Sequence, residues 1–181
     1  MTREEAIRLV KENVKTKNLR KHMYAAEACM SALAERLGGD ADEWALAGLL
    51  HDLDYDRTVD NFPKHGFVTE EMLGGLGVSP EVINAVKAHA GHAPISSDMD
   101  AALYAVDPLT GLIVAAALMH PTKKLANVDV GFVMKRFKEK RFAAGANREQ
   151  IRKCEALGLE LEEFVGICLS GMQGISEELG L

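Results

Sequence analysis

Five side chains of the types that bind divalent metal ions are spread along the first two thirds of the sequence. They are His22, His51, Asp52, His89 and Asp107. Imidazole and carboxylate ligands suit Mn, Fe, Co, Ni, Zn and Mg ions, and the set contains no thiolate that would narrow the choice. A metal ion held by such groups can activate a water molecule or polarise a phosphoryl oxygen. The residue types therefore indicate metal-assisted hydrolysis.

Each of these residues lies at or beside the apolar stripe of a predicted helix, so we expect all of them to face a common core. The apolar residues that share those predicted faces are Ala26 and Leu33, Trp44 and Ala47, Val82 and Val86, and Leu103 and Val106. One buried histidine usually bonds to the backbone. Several histidines with two buried carboxylates are different, because an unpaired buried charge is costly and a cation compensates for it. Helix bundles build metal sites in this way.

Helical periodicity dominates the chain and no stretch shows the alternation of a strand, so the predicted class is all-α. Predicted helices cover roughly residues 3–16, 18–37, 41–51, 65–73, 80–89 and 98–107, with later ones beginning at 148 and 161. The polar residues 53–63 are predicted to form a loop. Pro108 is expected to kink or restart the helix that carries Asp107.

The order of these residues resembles a known signature. His22, the His51-Asp52 pair within Leu-Leu-His-Asp-Leu, and Asp107 are similar to the H…HD…D pattern of the HD superfamily of metal-dependent phosphohydrolases. An HD dipeptide alone is weak, but the ordered set on predicted helices is specific, and the resemblance covers roughly residues 19–111. It implies that His22, His51, Asp52 and Asp107 bind a divalent ion. The predicted organisation is an HD-type helical bundle over residues 1–122, with 123–181 as a helical extension packed on the same body.

Superfamily members with two metals carry further histidines between the HD pair and the last aspartate. His65 and His89 match that arrangement, and the resemblance implies that Asp52 bridges the two ions. Asp52, His65 and His89 are therefore the predicted catalytic residues, the two histidines holding a second ion or donating to a phosphate. His92 is a further candidate ligand, although it follows Gly91 in a predicted loop and can equally be a solvated side chain.

The chain departs from the superfamily pattern directly after the HD pair. Many relatives have a Lys or Arg there that contacts phosphate, whereas this chain has Asp54-Tyr55-Asp56. Arg57 and Lys64 are the candidates to replace that contact. A third is the basic stretch within residues 123–142, which contains Lys135 and Arg136 and which we otherwise interpret as a solvated helix face.

The resemblance implies hydrolysis of a phosphate ester of a nucleotide or related small phosphorylated metabolite by a metal-activated water, with one or two divalent ions. Two alternatives stay open. Some HD proteins use the same six ligands to hold two irons and react with dioxygen. A non-catalytic, ligand-sensing helical module is the other. The fold alone does not decide among them.

Composition narrows the partners. Of 181 residues, 48% are hydrophobic and 27% charged, which is typical of a globular domain. A net charge of -6 argues against nucleic acid polymers and anionic membranes as partners. No apolar run reaches the roughly 18 residues of a membrane span, the longest being 112–119. The N-terminus lacks a signal-peptide pattern, and the three cysteines are scattered. We therefore expect a cytoplasmic protein with reduced thiols, and leave a homo-oligomer open.

Overall fold

The chain folds into helices throughout, without a strand, in a computed structural model that describes residues 1–181. The all-α prediction is confirmed. The α-helices are α1 (Arg3–Asn13), α2 (Lys17–Leu37), α3 (Ala41–Leu50), α4 (Tyr55–Thr58), α5 (Phe67–Leu73), α6 (Pro80–His89), α7 (Asp98–Met119), α8 (Val130–Lys138), α9 (Arg148–Ile151), α10 (Leu161–Gly174) and α11 (Ser176–Leu179). Short 3-10 turns lie at Phe62–Lys64, Leu125–Asn127 and Arg152–Leu157.

Helix α2 is the central helix, with α3, α7 and α10 packed around it. Two glycines allow its neighbours to come close. A Cβ atom on Gly48 of α3 would lie 2.6 Å from the Ala26 carbonyl oxygen, and one on Gly171 of α10 would lie 2.7 Å from that of Ala28. Because only glycine tolerates such approaches, these positions set how tightly α3 and α10 pack on α2. The close packing of α3 fixes the place of His51 at its end.

Most predicted helix ends are confirmed by their capping contacts. Asp40 accepts a hydrogen bond from the Glu43 amide at the start of α3, and Ser79 accepts one from the Val82 amide at the start of α6. Gly38 ends α2 in the left-handed conformation, with a φ of 78°. Helix α1 ends at Asn13, three residues before the predicted end.

The prediction of a plain loop over residues 53–63 is wrong in part. This segment contains α4 and the start of the first 3-10 turn. Asp54, which is fully buried, organises it: its carboxylate accepts hydrogen bonds from the backbone amides of Gly66 and Thr69. A buried carboxylate with its own donors can hold a polar segment in place without a long apolar stripe.

Helix α7 runs from Asp98 to Met119 with Pro108 inside it, so Pro108 does not restart the helix, which was one of the two outcomes expected of it. By length and composition alone, α7 is therefore long and apolar enough to cross a membrane. This differs from the expectation drawn from the apolar run at 112–119, which is too short for a span. Core helices pass the same test, and 56% of its most apolar stretch is buried within the fold. We take α7 as a core helix on that ground.

The C-terminal residues pack on the same hydrophobic core as the rest. Phe164 and Leu169 of α10 and Ile151 of α9 belong to one buried cluster with residues of α2 and α7. The three cysteines are free and buried in this core. The division between residues 122 and 123 stays a prediction, since no separate core marks it.

Candidate metal centre

Four imidazoles converge where α2, α3, α6 and the segment before α5 meet. His22 lies within α2, His51 directly follows α3, and His89 ends α6, while His65 follows the 3-10 turn after α4. The Nε2 atoms of His22 and His51 are 3.0 Å apart, and those of His65 and His89 are 3.1 Å apart. The four rings thus point the same nitrogen at a shared space.

The Nδ1 atoms explain why the Nε2 atoms are available. Each Nδ1 faces an acceptor and must therefore carry the proton in the neutral ring, which leaves a lone pair on Nε2. The acceptors, in the order His22, His51, His65 and His89, are the Thr110 hydroxyl, the Gly48 carbonyl, the Asp54 carboxylate and the Val86 carbonyl. Thr110 accepts because its own hydrogen is donated to the Asp107 carbonyl. The four Nε2 lone pairs are therefore oriented to bind a cation.

Asp52 lies between the two histidine pairs and offers one oxygen to each. Its Oδ2 is 3.6 Å from His22 Nε2 and 3.4 Å from His51 Nε2. Its Oδ1 is 3.3 Å from His65 Nε2 and 3.5 Å from His89 Nε2. A carboxylate in this position can bridge two ions.

Asp107 adds a second carboxylate beside the pair formed by His22 and His51. Its Oδ1 is 3.2 Å from His22 Nε2 and 3.9 Å from His51 Nε2. We call His22, His51, Asp107 and Asp52 Oδ2 the first ligand group. Asp52 Oδ1, His65 and His89 form the second ligand group.

Both groups fit a divalent ion. Two ligand atoms that are each about 2.1 Å from one ion lie about 3.0 to 3.4 Å apart in tetrahedral or octahedral geometry, and the atoms above approach those separations. All ligands are imidazole or carboxylate, which suits a borderline or hard divalent ion. The residues present therefore fit one or two ions, as predicted for this set, although the role of each residue as a ligand stays a prediction.

The electrostatics of the centre favour positive charge. Burial by itself lowers the pKa of His51, but the charge of Asp52 and its hydrogen bond outweigh burial and raise the pKa to about 9. Burial likewise opposes protonation of His65, yet hydrogen bonds to Asp52 and Asp54 raise its pKa to about 9. Burial favours the neutral form of Asp52, but the surrounding imidazoles hold its pKa well below the usual range. A divalent cation supplies the charge that these groups stabilise.

Asp54 supports the centre from behind His65 and was not predicted as a site residue. Its Oδ1 is 2.7 Å from His65 Nδ1. Its Oδ2 accepts the Gly66 and Thr69 amides at 2.9 and 3.0 Å. Carboxylates in this relation to a ligand histidine fix its tautomer and raise its basicity. The acidic residue that departs from the superfamily pattern thus orients a histidine instead of contacting phosphate.

Comparison with known families identifies the chain. The HD domain model matches residues 19–118, more than half of the chain, and this match includes every residue of the two ligand groups. The chain belongs to the HD domain family. This family is part of the superfamily of metal-dependent phosphohydrolases, as the signature predicted.

Several curated proteins similar to this chain are ribonucleases by name. Ribonuclease Y of Sulfurovum sp. is 32% identical over 120 residues, which cover 65% of this chain and 24% of that protein. Ribonuclease Y of Helicobacter hepaticus is 32% identical over 120 residues, and that of Wolinella succinogenes is 38% identical over 78. The chain spans about a quarter or less of the length of these relatives. No solved structure matches it.

All residues of the two ligand groups except His51 line a cavity of about 410 Å³. Besides the ligands, it is lined by Leu19, Tyr55, Phe62, Ala90 and Gln150. The rings of Tyr55 and Phe62 each lie 5.3 Å from the His65 ring, and Phe62 is half exposed. Tyr55 and Phe62 were not predicted as site residues because they lie in the segment taken as a loop, and Gln150 because it lies in the C-terminal extension.

Three predicted site residues lie away from the converging nitrogens. His92 donates from Nδ1 to the His65 carbonyl at 2.8 Å, and its ring stacks on Phe67. Arg57 donates to Asn13 near the end of α1, and neither Arg57 nor Lys64 lines the cavity. The structure thus does not bring the two candidate phosphate contacts to the centre, because α4 directs Arg57 toward α1.

The basic stretch within residues 123–142 does not line this cavity either. Arg136 pairs with Glu139 at 2.9 Å, and its guanidinium lies over the rings of Phe132 and Phe142. These contacts belong to the C-terminal extension itself.

Proposed function

We propose that this HD domain hydrolyses a phosphate ester of a small phosphorylated molecule, with a nucleotide as the first candidate, using one or two divalent ions. The observation that carries the proposal is the shared carboxylate: Asp52 gives one oxygen to each of two groups of oriented Nε2 atoms. Bound there, a divalent ion supplies a Lewis acid for a phosphoryl oxygen and lowers the pKa of a bound water. The protein supplies orientation and charge.

The chain's own residues have distinct tasks in this proposal. Asp52 is the one carboxylate within reach of both groups, so it orients the attacking water and can accept its proton. His65 and His89 hold the second ion or donate to the phosphate. His22, His51 and Asp107 keep the first ion in place.

The cavity supports a small substrate that carries a flat ring. No lysine or arginine is among the residues that line it, so binding of a long polyanion has no basic track to follow. The exposed face of Phe62 beside the centre offers a stacking surface for a base, and stacking of one base on an aromatic ring contributes about 1–3 kcal/mol. A nucleotide with its phosphate at the centre and its base on Phe62 satisfies both features.

A short single-stranded RNA is the second candidate. The relatives that match over 65% of the chain are ribonucleases by name. A phosphodiester next to a stacked base presents the same chemistry as a nucleotide ester. The net charge of -6 favours an oligonucleotide over a long polymer.

The test is an activity screen of the whole chain, purified without chelator and analysed for metals. A panel of nucleoside mono-, di- and triphosphates and a panel of short RNA oligonucleotides are incubated with Mn, Co or Mg, with and without air. Phosphate or shortened product released without air supports the hydrolase, and the better panel decides between the two substrates. A reaction that needs both iron and dioxygen would overturn the proposal in favour of an oxygenase.

A further inference from the structure

Pro108 leaves a gap in α7 directly beside the ligand Asp107. In an α-helix, residue 108 would donate its backbone N–H to the Tyr104 carbonyl, but proline has no N–H to donate. Gln150 fills this gap from outside the helix, because its Nε2 donates to the Tyr104 oxygen at 2.8 Å. The same Gln150 side chain lines the metal cavity together with Asp107.

Asp107 needs such support more than the other carboxylates do. Asp54 has His65 and two backbone amides as donors, whereas the Asp107 carboxylate contacts only the imidazoles of His22 and His51. The Asp107 side chain is also the most exposed of the ligands, at 31%. Its position therefore depends on the backbone turn that carries it, and this is the turn from which Pro108 removes a hydrogen bond.

Gln150 is itself held firmly. Asn147 accepts the amides of Glu149 and Gln150 at the start of α9, and Ile151 is fully buried. The guanidinium of Arg148, two residues earlier, donates to backbone carbonyls at the end of α8 and in the loop before α9. Those carbonyls belong to Arg136, Phe137, Glu139, Phe142, Ala143 and Ala146. The loop and α9 thus present Gln150 to α7 as a fixed donor.

We infer that Gln150 is a positioning residue for Asp107: it supplies to the Tyr104 carbonyl the donor that Pro108 withholds. Gln150 lies beyond residue 118, where the HD domain match ends, so the C-terminal extension contributes to the metal centre. The inference rests on the proposed metal centre where metal affinity is measured. It is independent of that centre where backbone hydrogen exchange is measured.

The test is a double-mutant cycle of Gln150→Ala and Pro108→Ala, with metal affinity measured by titration of the metal-free chain with Mn²⁺. Gln150→Ala should weaken binding at the first ligand group about fivefold, the factor that one ordinary hydrogen bond contributes. Adding Pro108→Ala restores an N–H within α7 and should return the affinity to that of Pro108→Ala alone. Gln173→Ala is the matched control, because Gln173 also donates from the extension to backbone carbonyls, those of Leu125 and Val128.

The second readout is amide hydrogen exchange of residues 109–111 in the metal-free chain. Exchange should rise about fivefold in Gln150→Ala and return to the starting rate in the double variant. If the wild-type chain binds no divalent ion, the proposed function fails, and this exchange experiment still decides the inference. Unchanged exchange in Gln150→Ala, no rescue by Pro108→Ala, or an equal effect of Gln173→Ala would overturn it.

Discussion

The two ligand groups are built on different kinds of structure. The first takes its side chains from α2, α7 and the end of α3, long or well-packed helices whose apolar stripes form the core. The second takes His65 from an irregular segment between α4 and α5, together with His89 at the end of α6. Helix packing positions the first group, whereas the second depends on particular hydrogen bonds.

The acceptors behind the histidines differ in the same way. His22 is held by the neutral hydroxyl of Thr110 and His51 by a backbone carbonyl. His65 is held by the buried carboxylate of Asp54, which also accepts hydrogen bonds from the backbone amides of the adjacent Gly66 and of Thr69 in α5. One carboxylate therefore sets both the backbone and the imidazole tautomer in the second group. The second group should be the easier one to break selectively.

Replacement of the shared carboxylate should have the largest effect, since it belongs to both groups. Asp52→Asn leaves one acceptor oxygen where two ions need one each, and removes the proton acceptor of the proposed reaction. We expect a loss of about 10²-fold or more in the rate of phosphate release, with weaker metal binding at both groups. Asp56→Asn is the control, because Asp56 is bonded to the Lys15 and Thr16 amides away from the centre. Full activity in Asp52→Asn would contradict the bridging role.

Loss of one histidine of the second group should lower metal binding there and leave the first group occupied. His65→Ala or His89→Ala should lower the metal content of the dialysed chain by about one ion where the wild type holds two, while the first group keeps its ion. The helical fold should persist, because the apolar core includes neither imidazole. Elemental analysis and circular dichroism measure the two outcomes. If both variants keep full metal content and full turnover, these histidines are not part of the centre.

Asp54→Asn tests whether the carboxylate behind His65 sets the second group. Asparagine has one acceptor oxygen, so it cannot serve both His65 Nδ1 and the two backbone amides. We expect metal affinity at the second group to fall about 10- to 100-fold, and the free energy of unfolding to fall by about 1–3 kcal/mol. Mn²⁺ titration and chemical denaturation measure these changes. Asp60→Asn, an exposed change in the same segment, should alter neither.

Helical periodicity in the sequence was sufficient to predict that the side chains of the first group lie close together. His22 and Asp107 share helix faces with buried apolar residues, so their inward orientation follows from 3.6-residue spacing. His51 follows from the end of the same kind of stripe. The fold class and most helix ends follow from the same signals, since capping residues such as Asp40 and Ser79 act locally.

The parts that could not be predicted depend on contacts between distant residues. Asp54 looks like a solvated loop residue until Gly66 and Thr69 are brought to it. Pro108 was expected to kink or restart α7, and only the donor from Gln150, 46 residues away from Tyr104, shows how the missing hydrogen bond is replaced. Local propensity carries no information about such partners, so the residues that support the candidate ligands could not be predicted, whereas the candidate ligands themselves could be named.

The smallest effect is expected from Thr110→Val, which removes the neutral acceptor behind His22 and preserves the volume of a side chain that is almost fully buried. Hydrogen bonds to neutral groups are about half as strong as those to ions, and His22 remains held within α2. Metal affinity at the first group should therefore fall only about fivefold, with the second group unchanged, and Thr110→Ser should restore it. Mn²⁺ titrations of Thr110→Val and Asp54→Asn, made side by side, measure the difference between the two supports. A loss in Thr110→Val as large as that in Asp54→Asn would mean that the first group depends on its hydrogen bonds as much as the second does.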